Sequence, residues 1–123
     1  MRIDDADTAF SQWIRLRDME CMRCHSPVGL NPLGLPNTHQ NSHYFGRGRE
    51  GTRFEPDNCD TLCHGCHRFW EKEDRKAYRQ FKIAQLGEER HASLQLQANA
   101  YHKKDREAEK IYWRQRLRDD YLV

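Results

Sequence analysis

The sequence predicts a small α+β domain in which a two-stranded hairpin is stapled by a metal ion and flanked by helices. Three observations predict it. Two C-x-x-C pairs, Cys21-Met22-Arg23-Cys24 and Cys63-His64-Gly65-Cys66, bracket the middle of the chain. Between them, turn signals alternate with two short strand-like runs, and helical apolar spacing flanks the bracket on both sides. Of the 123 residues only 37% are hydrophobic and 33% are charged, which supplies one small core that needs a staple. The chain therefore reads as a single domain, 1–123, with an N-terminal helix at about 8–20, a stapled core over 21–86 and a helical extension over 87–123.

Residues 1–7 read as a frayed acidic segment. Thr8 is positioned to cap a helix in which Phe10, Trp13, Ile14 and Arg17 share a face, with Arg15 and Arg17 as solvated charge beside the stripe. The first knuckle occupies 19–25. Three prolines and two glycines make 26–36 a loop. A strand is expected over 38–45, an arginine-bearing turn over 46–51, and a second strand over 59–62 after the turn signal Glu55-Pro56-Asp57-Asn58. The second knuckle leads into a helix from about 66 to 86, with Phe69, Trp70, Ala77, Phe81 and Leu86 as apolar positions and Gly87 as its end. Two more amphipathic helices are expected. One spans 88–100 with Leu94, Leu96 and Ala98, and the other spans 105–121 with Ala108, Ile111, Tyr112, Gln115 and Leu122 near one face. These tail helices either pack on the stapled core or offer a surface to a partner, including a second copy in a homodimer.

Four of the five cysteines fall in the knuckles, and each C-x-x-C closes a tight turn that aims two sulfurs at one tetrahedral ion. Cys21, Cys24, Cys63 and Cys66 are the expected ligands of a structural Zn²⁺. Cys59, the remaining one, reads as a small buried hydrophobe. The chain shows no signal peptide and no apolar run long enough to span a membrane, so it reads as cytoplasmic, where paired cysteines bind metal rather than form disulfides. A net charge of +2 excludes a uniformly basic nucleic-acid coat, yet Arg47, Arg49 and Arg53 concentrate positive charge in the central loop.

The knuckles pin three residues of chemical interest. His43 ends the first strand outside either knuckle and is free to act as a general base near neutral pH. His67 directly follows Cys66, and its imidazole suits a divalent metal, because four cysteines already fill the zinc tetrahedron. Asn58 offers a side-chain carbonyl that can accept the His43 N–H and set its tautomer. Arg47 and Arg53 have the forked donors that clamp phosphate. These parts together match metal-assisted phosphodiester hydrolysis. His43 would deprotonate water, and Mg²⁺ or Mn²⁺ held partly by His67 would stabilise the charge on the phosphorus and on the departing oxygen. One such site cuts one strand of DNA.

His43, Asn58 and Cys63-x-x-Cys66-His67 resemble the HNH endonuclease signature of the ββα-metal (His-Me finger) superfamily. The order Phe10-Ser-Gln-Trp-Ile-Arg-Leu-Arg-Asp18, Cys21-x-x-Cys24, His43-Tyr-Phe-Gly-Arg-Gly48, Arg53-Phe-Glu-Pro-Asp-Asn58 and the second knuckle is similar to the phage NinG-type recombination nucleases, over about residues 8–90. The resemblance implies a ββα-metal core in a bacterial or phage-encoded DNA endonuclease that nicks, with branched junctions as the expected substrate. It gives His43 the place of the base, Asn58 that of the middle Asn, His67 that of the metal-binding final His, and the four cysteines that of the structural zinc ligands. Many HNH enzymes carry a metal-binding Asp just before the base; Ser42 stands there. His39, Asp57, Asp60, His64 or His43 itself are the candidates for the second ligand. The alternative reading is a non-catalytic zinc-ribbon module that binds DNA or a protein, with His43 and Asn58 merely stabilising the loop. The spacing His-x14-Asn-x8-His favours the nuclease, since a binding module has no need of it.

Overall fold

Asp4 starts the fold. Its carboxylate accepts the Asp7 N–H, and the Asp7 carboxylate accepts the Asp4 N–H, each at 3.0 Å. This capping box begins helix α1 at Asp5 and carries it to Asp18. The expectation of a frayed acidic segment capped at Thr8 is therefore corrected, because the acids at 4 and 7 supply the cap themselves. The computed structural model describes residues 2–122, so Met1, part of that expected segment, lies outside the described residues.

Strands β1 (Gln40–His43) and β2 (Cys59–Leu62) pair antiparallel, with Gln40 opposite Leu62 and His43 opposite Cys59. β1 is shorter than the predicted 38–45, since His39 lies at φ 66° and the ladder ends at the His43–Cys59 pair. Two short 3₁₀ turns, Glu50–Thr52 and Pro56–Asn58, shape the connecting loop. The alternation of a strand sorts β1 into two sets. His43 and Asn41 face α1, while Ser42 faces the helices that follow the hairpin.

The single helix expected over 66–86 is broken. Helix α2 (His64–Arg68) runs into a π-helical turn, Phe69–Glu73, and α3 (Arg75–Leu86) restarts after Asp74, whose side chain accepts the Ala77 N–H at 3.1 Å. A short carboxylate at that position competes as an N-cap and divides the apolar pattern. Gly87, at φ 85°, ends α3 and leads into α4 (Glu88–Asn99); α5 (Arg106–Asp120) closes the fold.

Two cores flank the hairpin. The first joins α1 to α5: the Phe10 and Trp13 rings lie 4.7 and 5.2 Å from the Trp113 ring, and the Trp13 indole N–H donates to Asp120 at 2.8 Å. α5 thus docks through Trp113 and Leu117, not through the predicted stripe, in which Ile111 and Tyr112 are half exposed. The large indole decides the rotation, since it buries more apolar area than either. The second core gathers Tyr44, Leu62, Trp70, Tyr78 and Leu94 around the knuckle residues Cys21 and Cys66. Beneath β2, the fully buried Asp60 carboxylate accepts from Lys82 Nζ at 3.1 Å, from the Tyr78 hydroxyl at 3.0 Å and from the Gln85 amide at 3.1 Å.

Trp113→Ala removes the contact that docks α5 on α1 and is expected to cost about 3–5 kcal/mol in denaturant unfolding. A loss under about 1 kcal/mol would show that α5 docks through other residues.

Candidate active site

Four sulfurs meet between the two knuckles. The Sγ atoms of Cys21, Cys24, Cys63 and Cys66 all lie within 4.8 Å of one another, and Cys24 and Cys63 are 3.8 Å apart. Thiolates bound tetrahedrally at 2.3 Å from zinc are separated by about 3.8 Å, so the cluster fits a structural zinc site. All five cysteines are free of disulfides, and Cys59 is buried in the first core. Around the cluster, Arg23 donates to the Cys66 sulfur at 3.3 Å and lies 4.1 Å from the centre of the Phe69 ring. Among the described residues this is the one group of three or more His, Cys, Asp or Glu side chains gathered closely enough to hold a metal by themselves.

A cleft of about 390 Å³ opens beside the hairpin, lined by α1 (Asp7, Ser11, Arg15), by β1 (Asn41, His43), by Arg47 and by His67 of α2. The strand thus brings His43, and the knuckle brings His67, to one cavity. His43 is 8% exposed, and its Nε2 lies 2.9 Å from the Arg53 carbonyl oxygen. A carbonyl only accepts, so Nε2 carries the proton and Nδ1 is the lone-pair nitrogen of the neutral ring. Burial first, and the charge of Arg47 second among the lowering causes, pull the His43 pKa down to about 4. The ring is accordingly neutral throughout the neutral range.

Asn58 does not touch His43, which corrects the tautomer-setting role expected of it. Its carbonyl oxygen accepts the Phe45 N–H at 2.8 Å, and its amide donates to the Phe45 and Thr52 carbonyls at 2.9 and 3.1 Å. It is fully buried, and it clamps both ends of the loop whose Arg53 carbonyl orients His43. The side chain acts through backbone because it lies inside the loop, where its amide satisfies buried peptide groups.

Arg53 is likewise corrected as a phosphate clamp. It is 3% exposed, and it grips Asp7 through two hydrogen bonds of 2.9 and 2.5 Å. Burial works to raise the Asp7 pKa, but the hydrogen bonds from Arg53 and Asp4, with the Arg53 charge, together outweigh it and hold the carboxyl below its ordinary value. Arg47 lines the cleft, and its Nε is buried without a hydrogen-bond partner. Arg15, read as solvated charge, joins it there, and its Nη1 donates to the Thr38 carbonyl at 3.2 Å. Arg17 is internal, donating to the Pro56 and Cys59 carbonyls.

His67 has an acceptor at each ring nitrogen. Gln40 Oε1 lies 2.6 Å from Nδ1, and Glu71 Oε1 lies 2.8 Å from Nε2. Of the candidates for a second metal ligand, Asp60 is buried against Lys82 and Asp57 pairs with Arg90 at 2.7 Å. His39 bonds Ser26 and Thr38, and His64 is exposed with Nδ1 3.5 Å from the Gln40 amide. Glu71, Gln40 and Arg15 were missed in the sequence. Glu71 had a signal, since it falls four residues after His67 and so shares its helical face. Among the described residues, no helix is long and apolar enough to cross a membrane. Comparison with protein-family models, curated proteins and solved structures finds no match to this chain.

The purified protein is expected to hold one zinc per chain by mass spectrometry. Stripping the zinc with a strong chelator should lower the thermal midpoint by about 10 °C or more, since the metal holds the two knuckles together. A midpoint unmoved by chelation would contradict the structural zinc.

Proposed function

We propose that this protein is a metal-dependent DNA endonuclease of the HNH type that hydrolyses phosphodiester bonds and nicks one strand per site. The observation that carries the reading is the His43–Arg53 carbonyl bond. It fixes a neutral histidine with a free Nδ1 in a cleft shared with a second histidine and two arginines. That is the arrangement a general base needs: a lone pair set by a partner on the far nitrogen, beside donors for an anionic substrate.

In this reading Arg47 and Arg15 hold phosphate oxygens at the cleft. A bound phosphate also offsets the Arg47 charge, removing one of the causes that depress His43 and making Nδ1 a better base. His43 Nδ1 takes a proton from the attacking water while Nε2–H stays on the Arg53 carbonyl. Asn58 holds that carbonyl in place through the loop. A Mg²⁺ or Mn²⁺ ion on His67 would supply charge stabilisation for the phosphorane and the departing 3′ oxygen. The four-cysteine cluster is the structural Zn²⁺ site and takes no part in the chemistry. DNA of branched structure is the substrate class that the order of motifs favours.

The test is conversion of supercoiled plasmid by zinc-loaded protein in Mg²⁺ or Mn²⁺. The wild type is expected to give nicked circles. His43→Ala should slow nicking by at least about 100-fold, as loss of a general base does, with zinc content and the folded state retained. Folded, zinc-loaded protein that binds DNA without nicking it would favour the zinc-ribbon binding module instead.

A further inference from the structure

The proposed catalytic metal needs a second protein ligand, and the acid that would supply it before the base is replaced by Ser42. Ser42 cannot substitute. It is fully buried on the opposite face of β1, where its hydroxyl lies 3.0 Å from the Tyr78 oxygen. The Tyr78 proton goes to Asp60, so Ser42 donates and is committed to that bond. Asp57 and Asp60 are spent on Arg90 and Lys82.

The environment of His67 differs. Gln40 Oε1 lies 2.6 Å from Nδ1, and a Glu71 carboxylate oxygen lies 2.8 Å from Nε2. With a proton on Nε2 the contact is an i,i+4 hydrogen bond, and a divalent cation bound by both atoms takes that proton's place. Ligands at right angles in an octahedral shell of radius about 2.1 Å are about 3.0 Å apart, so the His67–Glu71 separation matches one edge of such a shell. Mg²⁺-type sites commonly take only one or two protein ligands and complete the shell with water and substrate phosphate, so two suffice. Glu71 also stands in the π-helical turn Phe69–Glu73, closed by the Asp74 N–H on the Phe69 carbonyl at 2.8 Å. Such turns are rare and concentrate at functional sites.

We infer that His67 Nε2 and Glu71 form the protein half of a divalent-metal site, that Gln40 orients the ring from Nδ1, and that Glu71 stands in for the acid missing at position 42. This inference rests on the nuclease reading for its chemistry, but it is tested by binding. Mn²⁺ is titrated into zinc-loaded protein to millimolar concentration and followed by electron paramagnetic resonance, with plasmid nicking read in parallel. Mn²⁺ leaves the thiolate cluster to zinc because it prefers oxygen and imidazole ligands. Glu71→Gln keeps the shape and is expected to weaken Mn²⁺ at least about tenfold, and Gln40→Ala about tenfold through the ring. His43→Ala should bind Mn²⁺ as wild type does, and Glu71→Asp should recover part of the affinity. Zinc content and the folded state should be retained in each. Weakened Mn²⁺ binding in Glu71→Gln supports the half-site; if the wild type then fails to nick, the nuclease reading falls while the metal site stands. Equal Mn²⁺ binding by wild type and Glu71→Gln, or none by the wild type, overturns the assignment even if the wild type nicks.

Discussion

Four sulfur atoms within 4.8 Å of one another tie the chain before the hairpin to the chain after it, and the geometry of the cleft depends on that clasp. A domain with so little apolar content has few other means of holding a two-stranded sheet, which is marginal by itself. The clasp is reinforced where the Met22 N–H donates to the Thr61 carbonyl at 2.8 Å, so the first knuckle is sewn to β2 as well as to the second knuckle. Cys63 accepts the Cys66 N–H and caps α2, and His67 is the next residue. The cysteine that caps α2 therefore sets the position of the residue proposed to bind a divalent metal.

Around the clasp, buried polar groups do what a larger apolar core would do elsewhere. Asp60 with Lys82, Tyr78 and Gln85 fixes β2 to α3 from beneath. Arg53 with Asp7 ties the loop to α1, and Asn58 closes the loop on itself. Such networks stabilise little over an apolar replacement, but losing one partner leaves a buried charge or amide unpaired. Their effect here is specification: His43 bonds the carbonyl of Arg53, whose guanidinium is held by Asp7. Arg53 shows both roles, with its guanidinium holding α1 and its carbonyl holding His43.

Much of this was legible in the sequence. The knuckle spacing foretold four converging sulfurs, because each C-x-x-C turn aims two sulfurs at one tetrahedral ion. The second strand and the Gly87 stop followed from local chemistry that tertiary context did not override. The convergence of His43 and His67 on one cleft followed from their places at a strand end and beside a knuckle. What failed depended on long-range partners. Arg53 and Arg47 look alike in the loop, and only the packing of α1 makes one internal and leaves the other at the cleft. Asn58 had the right chemistry for a tautomer-setting acceptor, but the loop backbone claimed it first. The rotation of α5 departs from the expected stripe because the Trp113 indole takes the buried place in preference to Ile111 and Tyr112.

The central claim is that the fold presents His43 as a neutral base with Nδ1 free. Its direct test is ¹⁵N–¹H NMR of the His43 ring across a pH titration of the zinc-loaded protein. The account predicts the Nε2–H tautomer, with no protonation of the ring until pH falls toward about 4, because burial and Arg47 both oppose the imidazolium. A proton on Nδ1 at neutral pH, or titration near the ordinary value of about 6.5, would contradict it.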